Sequence, residues 1–254
     1  MTQKVVSHSF KGGPGKSTVL SNLAVSLALE GKNVGAIDLD LAGPGLHVIF
    51  ELKKDEIKYT LNDILQMKCA PLDAVIDLTK RQRLKKGRLV FIPASYNAED
   101  IVRILTTGYE LSIFRKALEE VANAYDLDYM LIDTHPGIEE STLVAMGVCD
   151  TLLLISRLDN QDILGTGVTL EVAKALKKPV FLVVNMIPPG VDEKALKERL
   201  ERLFDIPIIG EIPFYTDVLR ALSSGIFILK HPEHDFGARI KSISSKLLEV
   251  EKNG

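Results

Sequence analysis

The sequence predicts an α/β fold: a doubly wound, mostly parallel β-sheet flanked by helices. Two observations predict it. Short continuous apolar runs of strand length alternate with amphipathic stretches of helix length along the 254 residues, the pattern of a parallel sheet buried on both faces. The first run also leads through a glycine-rich turn, Ser9-Phe10-Lys11-Gly12-Gly13-Pro14-Gly15, straight into a helical pattern. In such sheets a ligand is expected at the carboxyl ends of the strands.

The elements follow in order. Lys4–Ser7 reads as the first strand. The helix after it runs from about Ser17 to Glu30, because Leu20, Leu23, Ala24, Leu27 and Ala28 recur at helical spacing and Gly31 supplies a stop. Val34–Leu39, Leu89–Pro93, Tyr129–Asp133, Thr151–Ser156, Val180–Asn185 and Ile206–Ile212 read as further strands. Leu111–Ala124, Ile163–Leu176 and Asp192–Leu203 read as helices. In a last helix, Phe236 to Val250, one face carries Phe236, Ile240, Ile243, Leu247 and Leu248, a stripe expected to pack on the sheet. The basic residues Lys80, Arg81, Arg83, Lys85, Lys86 and Arg88 read as a solvated loop that guards a sheet edge with charge, ahead of a contact to DNA phosphates or an acidic partner. With no repeat and no linker, residues 1–254 read as one domain.

Composition sets outer bounds. A net charge of −3 argues against bulk electrostatic binding of nucleic acid. The two cysteines, Cys69 and Cys149, form neither a CxxC pair nor a disulfide framework, and point to a reducing cytosol. Cys149 lies in an apolar run and reads as core. The opening MTQKVVSHSF lacks the form of a signal peptide, and no apolar run approaches the length of a membrane span.

The glycine turn carries chemistry. Gly12, Gly13 and Gly15, with Pro14 between them, let backbone N–H groups turn inward around an anion. The following helix adds the positive end of its dipole. Lys16 then reaches the β- and γ-phosphates of a nucleotide, Ser17 offers a hydroxyl to Mg²⁺, and Thr18 lies toward the α-phosphate. The ordinary pattern opens on a glycine; here Phe10 stands in its place, with a second lysine, Lys11, beside it. Asp133, at the end of a hydrophobic strand, is placed to hold the Mg²⁺ hydration shell, the competing reading being a helix N-cap. Asp38 and Asp40 share one side of an extended chain, so both are expected to face the phosphates, unless one of them caps the following turn. The Asn185 amide matches the donor and acceptor on the edge of adenine, with a turn role before Pro188-Pro189 as the alternative. His8 and His135 read as satisfied histidines rather than metal or acid–base groups.

Lys11 to Thr18, Lys-Gly-Gly-Pro-Gly-Lys-Ser-Thr, resembles the deviant Walker A motif of the MinD/ParA superfamily of P-loop ATPases. Ile37-Asp38-Leu39-Asp40 resembles its switch I, and Leu131-Ile132-Asp133-Thr134-His135-Pro136-Gly137 its Walker B and switch II, with His135 a departure from the usual forms. Val183-Val184-Asn185 and Ile212-Pro213, followed by Asp217, Val218 and Ala221, resemble its adenine-side segments. The matches run in family order from residue 4 to about residue 229. The resemblance implies a P-loop NTPase fold, ATP/ADP and Mg²⁺ as ligands, and a homodimer sandwiching ATP. It implies slow hydrolysis accelerated by an activator protein yet to be identified, and an output in spatial positioning of a division site, DNA, cargo or flagella. Asp40 would orient the attacking water, Asp38 would support the metal, and Pro213 and Asp217 would lie near the base. Lys11 would reach across the two-fold axis to the other subunit's phosphates. The location would be the cytoplasm, with DNA or a membrane as the surface visited. Glu249-Val250-Glu251 lacks the basic, bulky apolar tail of a membrane-targeting relative. Two alternatives share the loop: a cluster carrier or assembly factor like Mrp or the nitrogenase iron protein, which needs cysteine pairs, and a ligase like dethiobiotin synthetase, which needs its own substrate pocket.

Overall fold

The computed structural model describes residues 1–253, with side chains through Glu249; Val250 and Glu251, named above, lie outside the described side chains. Strand β1 (Gln3–His8) passes through the glycine turn into α1 (Lys16–Leu29), and β2 (Asn33–Leu39) follows. A stretch of short pieces comes next: α2 (Leu46–Ile49), α3 (Leu61–Leu65) and β3 (Ile76–Asp77), with single turns at Lys54–Glu56 and Pro71–Ala74. Regular alternation resumes with β4 (Arg88–Ile92), α4 (Ala98–Thr107), α5 (Leu111–Ala124), β5 (Tyr129–Thr134), α6 (Glu140–Val148), β6 (Thr151–Ser156) and α7 (Asn160–Ala175). It closes with β7 (Val180–Ile187), α8 (Glu193–Phe204), β8 (Ile208–Pro213), α9 (Thr216–Arg220), α10 (Phe227–Lys230) and α11 (Asp235–Asn253).

The eight strands form one sheet in the order β3-β4-β2-β5-β1-β6-β7-β8. All neighbours pair in parallel except the two-residue β3, which lies antiparallel on β4. Successive residues of a strand face opposite sides, and both sides are apolar. Val5, Leu131 and Ile155 face the layer of α1 and α11, whereas Val6, Ile132 and Leu154 face the layer of α5, α6 and α7. This double burial is why the strands read as unbroken apolar runs. The predicted face of α11 packs as expected: Phe236, Ile240, Ile243 and Leu247 are buried against the sheet.

β1 is central, between β5 and β6, so its carboxyl end opens between two neighbouring strand ends. Parallel register brings Asp38 of β2 level with Asp133 of β5, and Ser7 of β1 level with the same Asp133. Phe10 has a packing role. A Cβ added to Gly165 of α7 would lie 2.0 Å from the Phe10 Cδ1, so the ring occupies the notch left by the missing side chain. The loop's front is thereby fastened to α7. The basic segment forms turns ahead of β4, near the sheet edge, and Arg81 pairs with Glu56.

Candidate functional site

The strand ends, the loop and the segment after β8 enclose a cleft with two arms. One arm, 340 Å³, lies over the loop and is lined by Gly12 to Thr18, Asp40 and Pro136. The other, 360 Å³ and mostly apolar, is lined by Asn185, Met186, Ile212, Pro213 and Val218 among others. Gly15, Thr18, Ile49 and Ser223 line both, so the arms are continuous. A polar arm joined to an apolar arm of this size suits a nucleotide, phosphates over the loop and base beyond.

The local sequence builds the polar arm. Gly15 adopts φ 84°, and a Cβ there would approach the Asn185 amide nitrogen to 2.5 Å, so both backbone and space demand glycine. Gly15 is also the N-cap of α1, and no side chain caps that helix. The first-turn N–H groups, left without a side-chain acceptor, suit an anion. Asn185 donates from its amide to the Pro14 carbonyl at 2.6 Å, fixing the loop from the base side of the cleft. A break in the β7–β8 register at this point, with Met186 at φ 56°, accompanies that placement.

Lys16 and Asp133 form a buried ion pair at 2.7 Å, and Ser17 donates to the other Asp133 oxygen at 2.5 Å. The side-by-side hydroxyl and carboxylate are hard oxygen donors. They fit Mg²⁺, which takes one or two protein oxygens and completes its shell with water and phosphate. Lys11 is half-buried at the loop's lip, and its ammonium has no ion-pair partner among the described residues.

Asp38 differs from the expectation. It is fully buried, and its two oxygens accept from the backbone N–H groups of Asp40 (3.2 Å), Gly45 (3.1 Å) and Leu46 (3.1 Å). Burial, reinforced by Asp133 beside it, pushes its carboxyl up to about 8. The two-residue alternation fails here because β2 ends at Leu39. Asp38 therefore points into the turn that it organises, and Asp40, past the strand end, lines the cleft. Asp217 also differs. It lines neither arm, is 64% exposed, and lies near Arg220 (3.7 Å) and His234 (3.9 Å). Val218 and Leu219 occupy the cleft wall in its stead.

His8 and His135 each make one side-chain hydrogen bond through Nδ1, while His8 Nε2 is buried with no hydrogen-bond partner among the described residues. The Thr134 hydroxyl donates to the Ser7 carbonyl (3.0 Å), so it accepts from His8 Nδ1 at 2.9 Å. Burial, with Lys16 close by, lowers the His8 imidazole to about 3. His135 Nδ1 lies 2.9 Å from Asp40 Oδ1, a contact that sequence reasoning missed. Its only trace in the sequence is the departure of His135 from the family's switch II pattern. Burial raises both thiols, Cys69 and Cys149, to about 11; Cys149 is fully buried, and neither lines the cleft.

A family model described as ParA, NUBPL iron-transfer P-loop NTPase, matches residues 1–248. The chain belongs to the ParA family of P-loop NTPases. Its relatives differ in described role. An uncharacterised ATP-binding protein of Methanocaldococcus jannaschii is 29% identical over 94% of this chain and 85% of its own length. The septum site-determining protein MinD of Helicobacter pylori is 28% identical over 85% and 80%. An iron-sulfur cluster carrier protein of Clostridium perfringens is 29% identical over 85% and 78%. Among solved structures, MinD of Pyrococcus horikoshii complexed with Mg-ADP superposes with a TM-score of 0.80 at 21% identity, over 99% of this chain and 98% of that one. The ParA family assignment and the parallel sheet thus agree with the fold and superfamily read from the sequence. No helix among the described residues is long and apolar enough to cross a membrane.

Proposed function

We propose that this ParA-family chain is an ATP-driven switch: it binds Mg-ATP, pairs face to face with a second copy, and hydrolyses ATP slowly. The observation that carries the reading is the division of labour between two lysines. Lys16 is buried in the loop beside Asp133, whereas Lys11, at the entrance of the loop, has no ion-pair partner among the described residues. A flexible cation there has no task inside its own subunit and can meet phosphate charge presented by another.

The residues divide the work. Backbone N–H groups of Gly12, Gly13 and residues 15–18 hold the phosphates, and Lys16 leaves Asp133 to follow the β- and γ-oxygens. The Ser17 hydroxyl and the Asp133 carboxylate would hold Mg²⁺, which would supply positive charge to those oxygens. Asp40 accepts a hydrogen bond from the attacking water and orients it; the water oxygen bonds to the γ-phosphorus as the bond from that phosphorus to the bridging oxygen breaks, and the water protons pass to the phosphate oxygens and solvent, leaving ADP and inorganic phosphate. Asn185 and Pro213 border the base, and Asp38 keeps the Asp40 turn in shape. Lys11 of the second copy stabilises the charge of the transition state.

The cellular output in this reading is spatial positioning, in keeping with the relative named for septum-site determination. The cluster-carrier relatives and the family description keep an iron-transfer reading in view. Against it, Cys149 is buried away from the cleft, and Cys69 and Cys149 stand 80 residues apart with no CxxC pair. Phosphate release is the test. Asp40→Ala should bind ATP and fail to hydrolyse it; hydrolysis at the wild-type rate would overturn the assignment. Anaerobic reconstitution with iron and sulfide should yield no cluster absorbance, and a stable visible band would favour the carrier.

A further inference from the structure

We propose that His135 is a positioning residue for hydrolysis: it fixes the Asp40 carboxylate through one hydrogen bond from Nδ1. The inference rests on the hydrolytic role given to Asp40.

Asp40 belongs to the turn after β2 and His135 to the turn after β5. Those strands are direct neighbours, in register up to Leu39 and Thr134. The next residue along each chain is therefore carried to the same place by the sheet. There His135 Nδ1 meets Asp40 Oδ1 at 2.9 Å, and the Gly43 N–H donates to the same oxygen at 2.9 Å. A carboxylate only accepts, so the Nδ1 hydrogen is on the imidazole and points at Asp40. With Oδ1 held from two sides, the carboxylate cannot turn freely about its bond to Cβ, and Oδ2 keeps one orientation beside the cleft.

The imidazole is partly shielded, with an acidic neighbour beyond hydrogen-bond reach on its far side. It is 29% exposed against 13% for Asp40, and its far nitrogen lies 4.0 Å from Glu139 Oε1 at the start of α6. Its outer side borders a separate cavity of 170 Å³ lined by Leu41, Ile104, Tyr109 and Val144. The ring thus stands between the phosphate cleft and a second space, with Pro136 fixing the backbone behind it. Nothing in this arrangement needs His135 to touch a nucleotide. Its effect reaches the water only through Asp40, which lines the loop arm of the cleft.

The test uses the position of the donor. An asparagine amide nitrogen falls near where His Nδ1 sits, whereas a glutamine amide nitrogen falls near Nε2. His135→Ala should lower kcat for ATP hydrolysis about tenfold or more while KM and fluorescent-ADP affinity change less than about twofold, the mark of an interaction that matters at the transition state. His135→Asn should recover most of the rate and His135→Gln should not. Adding His135→Ala to Asp40→Ala should cause no further loss, since the residue acts through Asp40. Equal rates for the asparagine and glutamine variants would overturn the proposal, even if the alanine variant folds poorly. So would an alanine variant with normal kcat in a protein that Asp40→Ala silences. Normal hydrolysis by Asp40→Ala alone would instead remove the reading of Asp40, and this inference with it.

Discussion

Replacing Gly165 with alanine should dislodge Phe10 and loosen the front of the phosphate loop. The new methyl would lie 2.0 Å from the Phe10 Cδ1, 2.1 Å from Cγ and 2.6 Å from Cβ. Carbon atoms rest about 3.5–4.0 Å apart. The clash reaches Cβ, so rotating the ring cannot relieve it and the backbone at residue 10 must move. Overpacking of this kind costs about 3 kcal/mol at the upper end. Alanine for glycine inside a helix returns about 1 kcal/mol, which leaves a net loss of about 2 kcal/mol. Phe10→Ala alone gives up a half-buried ring, about 1.5 kcal/mol. In the double variant the clash is gone and the helix gain remains, so the net loss falls to about 0.5 kcal/mol. The double variant should therefore be more stable than Gly165→Ala, with a coupling of about −3 kcal/mol between the two sites. Urea unfolding of the four proteins measures it. Gly165→Ala should also weaken ADP binding by more than its effect on stability requires, since the moved backbone belongs to the cradle. A double variant destabilised by the sum of the single losses would refute the account of why phenylalanine stands where the ordinary loop has glycine.

Three further outcomes follow from the site. Buried His8 stays neutral down to about 3 while the unfolded imidazole binds a proton below about 6.5. The unfolded state thus holds more protons in that window, and stability falls as pH drops through it, by about 2 kcal/mol between pH 7 and pH 5 from this group. The pH dependence of unfolding should lose that component in His8→Asn. Lys16→Met leaves Asp133 buried with only the Ser17 hydroxyl, and should destabilise the nucleotide-free protein by about 3 kcal/mol as well as abolishing ATP binding. Adding Asp133→Asn should return part of the lost stability, read by urea unfolding. Above about pH 8, where Asp38 is ionised, Asp38→Asn replaces one acceptor oxygen by a donor facing backbone N–H groups, and should cost about 1–3 kcal/mol while raising hydrogen exchange at residues 40–46.

Much of the fold was legible for a definite reason. Strands buried on both faces write themselves as continuous apolar runs, and Leu111–Ala124 and Thr151–Ser156 emerge with the bounds expected of them. The misses have physical causes too. α4 is only ten residues long, and of its apolar residues Ile104 is buried while Val102 and Leu105 are exposed, so little of its apolar pattern marks a core face. α6 is apolar nearly all round, with Leu143, Val144, Ala145, Met146 and Val148, and an unbroken apolar run carries no helical period. Residues 41–87 fold through single turns and a two-residue strand too short to show periodicity. At the site, Lys16 and Ser17 were readable from the loop motif, and Asp133 from its own place at the end of a hydrophobic strand beside Pro136-Gly137. Strand alternation set Asp38 and Asp40 alike toward the phosphates, because it does not show where β2 ends, and only the family resemblance gave them different roles. The His135–Asp40 bond was invisible because it joins residues 95 positions apart, brought together by adjacent strand ends. Asp217 was misplaced because a five-residue helix decides which of its side chains face the cleft.

The central claim is a loop completed by a second copy of the chain, and the oligomeric state of Asp40→Ala tests it most directly. Light scattering after size exclusion should give a monomer mass with Mg-ADP and twice that mass with Mg-ATP. The same variant carrying Lys11→Ala should bind ATP and stay at the monomer mass. A monomer mass for Asp40→Ala with Mg-ATP bound, or a dimer that persists without Lys11, would contradict the account.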